Sequence, residues 1–76
     1  MSPEDLLVGL LSRWLAGHLD NAQLQAGIGD AGRQGLSADQ AEALDDLLAD
    51  LDRAGPNRSG ELERTVRETL EALALG

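Results

Sequence analysis

The stretch Leu6–Leu19, reading LLVGLLSRWLAGHL, sets the hydrophobic pattern of the whole chain. At a helical angle of about 100° per residue, its large apolar side chains cover far more than one stripe. Leu7, Leu11 and Trp14 form the centre of the arc, with Leu6 and Leu10 flanking one side and Val8, Leu15 and Leu19 the other. Only the wedge of Gly9, Ser12, Arg13 and Ala16 suits water. So apolar a helix needs cover from two sides, which predicts a central first helix with the later ones packed around it. Ser2-Pro3-Glu4-Asp5 supplies its start: a hydroxyl cap, a proline for the first turn and two carboxylates at the positive end of the dipole. The first helix is expected from Pro3 to about His18.

Further helices follow in order. Asp20 and Gln23 form a capping box, predicting a short helix to about Ala26 with Leu24 and Ile28 turned inward. Gly27, Gly29, Gly32 and Gly35 crowd the next segment, whose ordering entropy predicts a mobile loop over Gly27–Gly35. Ser37 and Gln40 make a second capping box, and Leu36 can staple onto Ala41. In that helix Ala41, Leu44, Leu47, Leu48 and Leu51 share one face, opposite Glu42, Asp45, Asp46, Asp50 and Asp52. Gly55-Pro56 stops it, and Ser59 is the next cap. The last helix runs from Gly60 to about Ala74, with Leu62, Val66, Leu70 and Leu73 on one stripe and Glu63–Arg67 and Arg64–Glu68 as exposed i,i+4 pairs. No strand-like alternation, repeat or long linker occurs. The reading is all-α: one domain over residues 1–76, a small three- to four-helix bundle.

Composition sharpens this picture. Sixteen leucines and a single aromatic, Trp14, must make the core of a 76-residue chain without cysteine. Such a core is weakly specified by shape, and association helps to fix it. The net charge of −8, with arginine but no lysine, disfavours nucleic acid and anionic membranes as partners and favours a basic protein surface. The apolar run has no positive region before it and is too short to span a bilayer, so the expected location is the cytoplasm. The Arg-only, Ala/Gly-rich usage is of the kind found in high-GC bacterial genomes.

Several motifs invite chemistry. Gly27-Ile28-Gly29-Asp30-Ala31-Gly32 spells G-x-G-x-x-G, but no strand precedes it and the chain is too short for a doubly wound sheet. It reads as loop. His18, the only histidine, follows Trp14 by four residues and is expected to pack on the indole; a metal site would need more ligands. The third-helix carboxylates lack the glycine-turned spacing of a calcium loop. No set of nucleophile, base and orienting acid is recognisable, so no catalytic residue is assigned and no enzyme activity is expected.

Ser37, at the head of an acidic helix after a long loop, carries one resemblance, with Pro56 in the next connection and Thr65-Val66 entering the last helix. In plan the chain resembles acyl carrier proteins, which are small acidic helical bundles. The resemblance implies Ser37 as an attachment site for phosphopantetheine, presented by the acidic helix. Leu36-Ser37-Ala38 stands where that family has Asp-Ser-Leu, and Gly29 and Arg33 stand in place of apolar loop anchors.

The leading expectation is a protein–protein interaction module without cofactor: a regulatory subunit, an antitoxin- or immunity-type binder, or an assembly adaptor. Its apolar contact surface is expected at Leu7, Leu11, Trp14 and Leu15, and its acidic one at Glu42, Asp45, Asp46 and Asp50. A two-fold homodimer is the expected form of self-association. The alternative is the carrier-like domain using Ser37.

Overall fold

In a computed structural model, which describes residues 2–75, the chain forms four helices: α1 Pro3–Leu15, α2 Asn21–Ala31, α3 Ala38–Ala54 and α4 Gly60–Leu75. They run up, down, up, down, and each packs on its two neighbours, so α1 lies between α2 and α4. Eleven apolar residues close one core: Leu7, Leu11 and Trp14 of α1, Leu24 and Ile28 of α2, Leu44, Leu47 and Leu51 of α3, and Leu62, Val66 and Leu73 of α4. Among the described residues there is no strand, and no helix is long and apolar enough to cross a membrane.

The caps form as the sequence pattern predicts. Ser2 accepts from Asp5 N, and both capping boxes close, Asp20 with Gln23 and Ser37 with Gln40. The Ser59 hydroxyl accepts from Leu62 N at 3.1 Å. Each such cap satisfies an otherwise orphaned amide, worth about 1 kcal/mol.

Three expectations are corrected. First, α1 ends at Leu15 and not near His18. Gly17 takes a φ of +85°, while His18 N donates to Arg13 O and Gly17 N to Trp14 O, which closes a Schellman turn. Second, α2 runs through Gly27 and Gly29 to Ala31, so most of the expected loop is helix. Each glycine costs about 0.5–1 kcal/mol in a helix, but continuing the helix buries Ile28, worth about 1.5–3 kcal/mol. Gly27 is there for closeness: a Cβ at that position would lie 2.8 Å from Leu10 Cδ2. The true connection is 32–37, turned by positive φ at Gly32 and Gly35. Third, the inner stripe of α4 is Leu62, Val66, Thr69 and Leu73, with Leu70 only half-buried. Thr69 enters the core because its hydroxyl donates to Thr65 O at 2.8 Å, which satisfies the polar atom it brings with it.

The two interior glycines of α2 therefore separate by experiment. No atom lies within 4 Å of a Cβ placed at Gly29, so Gly29→Ala should stabilise by about 0.5–1 kcal/mol, a rise in melting temperature of several degrees. Gly27→Ala has the same propensity gain but must displace Leu10, and thermal melts should show it less stable than Gly29→Ala.

Candidate functional site

The two long outer faces of the bundle differ in chemistry, and the polar interior at its ends decides which residues are free to form them. At one end stands Trp14, with no exposed surface. Its indole Nε1 donates to Asn21 Oδ1 at 2.8 Å, and Asn21 Nδ2 donates onward to Gly55 O at 2.9 Å and Asn57 O at 2.6 Å. Arg58 lies over the ring with its Cζ 3.6 Å from the centroid, and its guanidinium donates to Trp14 O at 2.7 Å. The cation thus meets both the π face and the negative end of α1. At the other end Gln40, also buried, accepts from Ser37 N through Oε1 and directs Nε2 at the terminal carbonyls of α4, Leu73 O at 3.3 Å and Ala72 O at 3.4 Å.

These arrangements reassign most of the expected site. Leu7, Leu11 and Trp14 have no exposed surface and Leu15 is half-buried, so the expected apolar contact surface is consumed by the bundle's own core. The apolar surplus of α1 lies instead on the flank, at Leu6, which is 41% exposed, and half-buried Leu10. With Gly27, Ala31, Arg13 and Asp30 they line an open groove of about 310 Å³ between α1 and α2. His18 is exposed beyond the turn that ends α1, and Arg58 takes the place over the indole that the i+4 spacing suggested for it.

On α3 the acidic residues divide. Asp45 pairs with Arg33 of the α2–α3 connection. Asp50 pairs with Arg53 and accepts from the Thr65 hydroxyl of α4 at 2.7 Å. The Thr65 bond, aided by Arg53 and opposed by partial burial, holds the Asp50 carboxyl below its ordinary range. Asp50 is therefore a tie between helices as much as a surface charge. Asp39, Glu42, Asp46 and Asp52 are exposed, and none has an ion-pair partner among the described residues. The expected Glu63–Arg67 and Arg64–Glu68 pairs are not formed; holding two solvated side chains together returns only a few tenths of a kcal/mol.

Ser37 is half-buried, and its Oγ accepts from Gln40 N at 3.2 Å in the cap of α3. Among the described residues no three His, Asp or Glu side chains come together as a metal-binding group. Sequence reasoning missed Asn21, Arg58 and Thr65. Asn21 carried a signal, since an amide at a helix start has hydrogen bonds to spare, but while Trp14 is only seven residues away, the two carbonyls its Nδ2 reaches lie 34 and 36 residues away. No protein-family model, curated protein or solved structure matches the chain.

Two outcomes test this description. Asn21→Ala orphans the buried Trp14 N–H and should cost about 1–3 kcal/mol in urea denaturation, with the emission of the only tryptophan shifted to the red. Asp50 has a lowered pKa in the fold, so its contribution is present above the unfolded-state pKa and lost as pH falls through the folded value. The native chain should exceed Asp50→Asn in stability at neutral pH, and pH-resolved melts should show the gap closing below about pH 4.

Proposed function

We propose that this chain is a small interaction module that binds a partner protein of basic surface through the outer face of α3. One observation carries the reading: α3 holds six carboxylates against one guanidinium, and Asp39, Glu42, Asp46 and Asp52 among them point into solvent without ion-pair partners among the described residues. Ala38 and Ala49, also exposed, leave that face low enough for a flat partner to approach. The face is rigid, since α3 is capped by Ser37 and tied to α4 through Asp50 and Thr65. A preformed row of like charge favours fast, salt-sensitive encounter with an opposite surface and rejects acidic competitors. Regulatory subunit, immunity-type binder and assembly adaptor all work by such docking.

Titration of isotopically labelled protein with an arginine-rich peptide tests the reading by nuclear magnetic resonance. Saturable shifts should concentrate at the amides of Asp39, Glu42, Asp46 and Asp52. The double variant Glu42→Gln/Asp46→Asn should weaken binding by roughly three- to tenfold while leaving the melting curve nearly unchanged. Shifts spread evenly over α3 and α4, with no loss of affinity in the double variant, would reject an α3 docking face.

A further inference from the structure

At the Trp14 end of the bundle, Arg58 fills a place whose surroundings all favour a cation. The indole presents its π face to the guanidinium, with Cζ 3.6 Å from the ring centroid. The C-terminal end of α1 adds the negative pole of its dipole. Two carbonyls converge on the same group: Arg58 Nη2 donates to Trp14 O at 2.7 Å and Nη1 to Leu19 O at 3.4 Å. A guanidinium suits this combination better than an ammonium, because it stacks and donates in a fixed fork at once. Beside it lies an open hollow of about 440 Å³, where Leu15 and Leu19 stand with Gly17, Asp20 and Gln23.

The occupant is held less firmly than the place it occupies. Residues 55–61 are all exposed, so the turn that carries Arg58 sends no apolar side chain into the core. The backbone of that turn is held by Asn21 at Gly55 O and Asn57 O, bonds in which the Arg58 side chain has no part. Arg58 has no ion-pair partner among the described residues. A change of rotamer therefore frees the guanidinium while the turn stays pinned, and it uncovers the face of the only tryptophan.

We propose that the face of Trp14 is an arginine-binding site that the chain's own Arg58 keeps occupied until an arginine of a partner protein displaces it. The exchange conserves chemistry: the incoming guanidinium meets the same ring and the same two carbonyls, and Arg58 passes into water. A net charge of −8 draws such a partner in, and Asp20 stands at the rim of the hollow. An occupant tethered to the site has a high effective concentration, so Arg58 sets a threshold that stray cations do not pass. Glu42 and Asp46 line no part of this hollow, and the site does not depend on the α3 docking face.

Removing the built-in competitor tests this. The chain has one indole N–H, so a single cross-peak in nuclear magnetic resonance reports on the site. In Arg58→Ala, N-acetyl-arginine amide should shift that peak saturably, and the native chain should bind the same probe at least about tenfold more weakly. Neutral N-acetyl-glutamine amide should leave the peak nearly unmoved. Adding Glu42→Gln/Asp46→Asn to Arg58→Ala should keep the arginine affinity within about twofold, which separates this site from α3. Arg58→Gln, which keeps most of the methylene stem without the charge, should behave as Arg58→Ala does with more of the packing retained. No saturable shift in either variant, an equal response from the native chain or to the neutral amide, or loss of affinity in the α3 variant would overturn the proposal. Unfolding of both Arg58 variants, read by circular dichroism, would overturn it too, since an occupant that the fold requires cannot be exchanged.

Discussion

The hydrogen bond from Trp14 to Asn21 is the constraint on which the arrangement of the bundle depends. A chain with one aromatic ring has one large, rigid shape around which to set its helices, and here that ring is fully enclosed. Enclosure demands a partner for the indole N–H, because a buried donor left alone costs about 1–3 kcal/mol. Asn21 meets that demand from the first turn of α2. Its remaining hydrogens reach Gly55 and Asn57, so the α3–α4 turn is fixed against the α1–α2 corner. Arg58 then closes over the ring from the same turn. One buried asparagine thereby links three of the four helices, with every hydrogen-bonding position on its amide nitrogen used.

Gln40 does corresponding work at the other end, where its side chain serves the start of α3 and the end of α4 together. Between these two polar pins the core is mostly leucine, with Ile28, Val66 and Thr69 as its β-branched members. Leucines of similar volume interchange neighbours at little energetic cost, so such a core resists displacement of one helix along another only weakly. The pins supply the missing register. A slip of one turn would carry Asn21 away from the indole and Gln40 away from the α4 carbonyls, leaving several buried polar groups unmatched. Specificity rests on a few directional bonds at the ends, and stability on nondirectional burial between them.

This division explains how much was legible in the sequence. The caps at Ser2, Asp20, Ser37 and Ser59 are local patterns, and they give the starts of the four helices, whereas the expected ends of α1 and α2 fall three residues late and five residues early. Gly27 and Gly29 misled because local propensity counts a glycine only as lost entropy, whereas Gly27 meets Leu10 from a different helix so closely that a Cβ there would have to displace the leucine methyls. The apolar arc of α1 was legible as an arc but not as an inside and an outside: which leucines remain at the surface depends on where α2 and α4 approach. Leu7, Leu11 and Trp14 were covered, and Leu6 and Leu10 were left at the edge. Arg58 over Trp14 spans 44 residues of chain and has no local signature.

Confinement of the polar pins to the two ends has a consequence for binding. In a bundle this small, an interface that had to open the core would draw on the few kcal/mol that keep it folded. Here the long sides are free of core duties. On the outer face of α3, Asp52 shares a hollow with Asn21 and Asp39 adjoins Gln40, but Glu42 and Asp46 stand clear of both, so a partner seated at the middle of that face leaves the register bonds untouched. Charge separates the two sides further, with the acid concentrated on α3 and α4 and a balanced pair beside the groove. A contact along α3 is then electrostatic in character and leaves both the core and the apolar flank of α1 at Leu6 and Leu10 undisturbed.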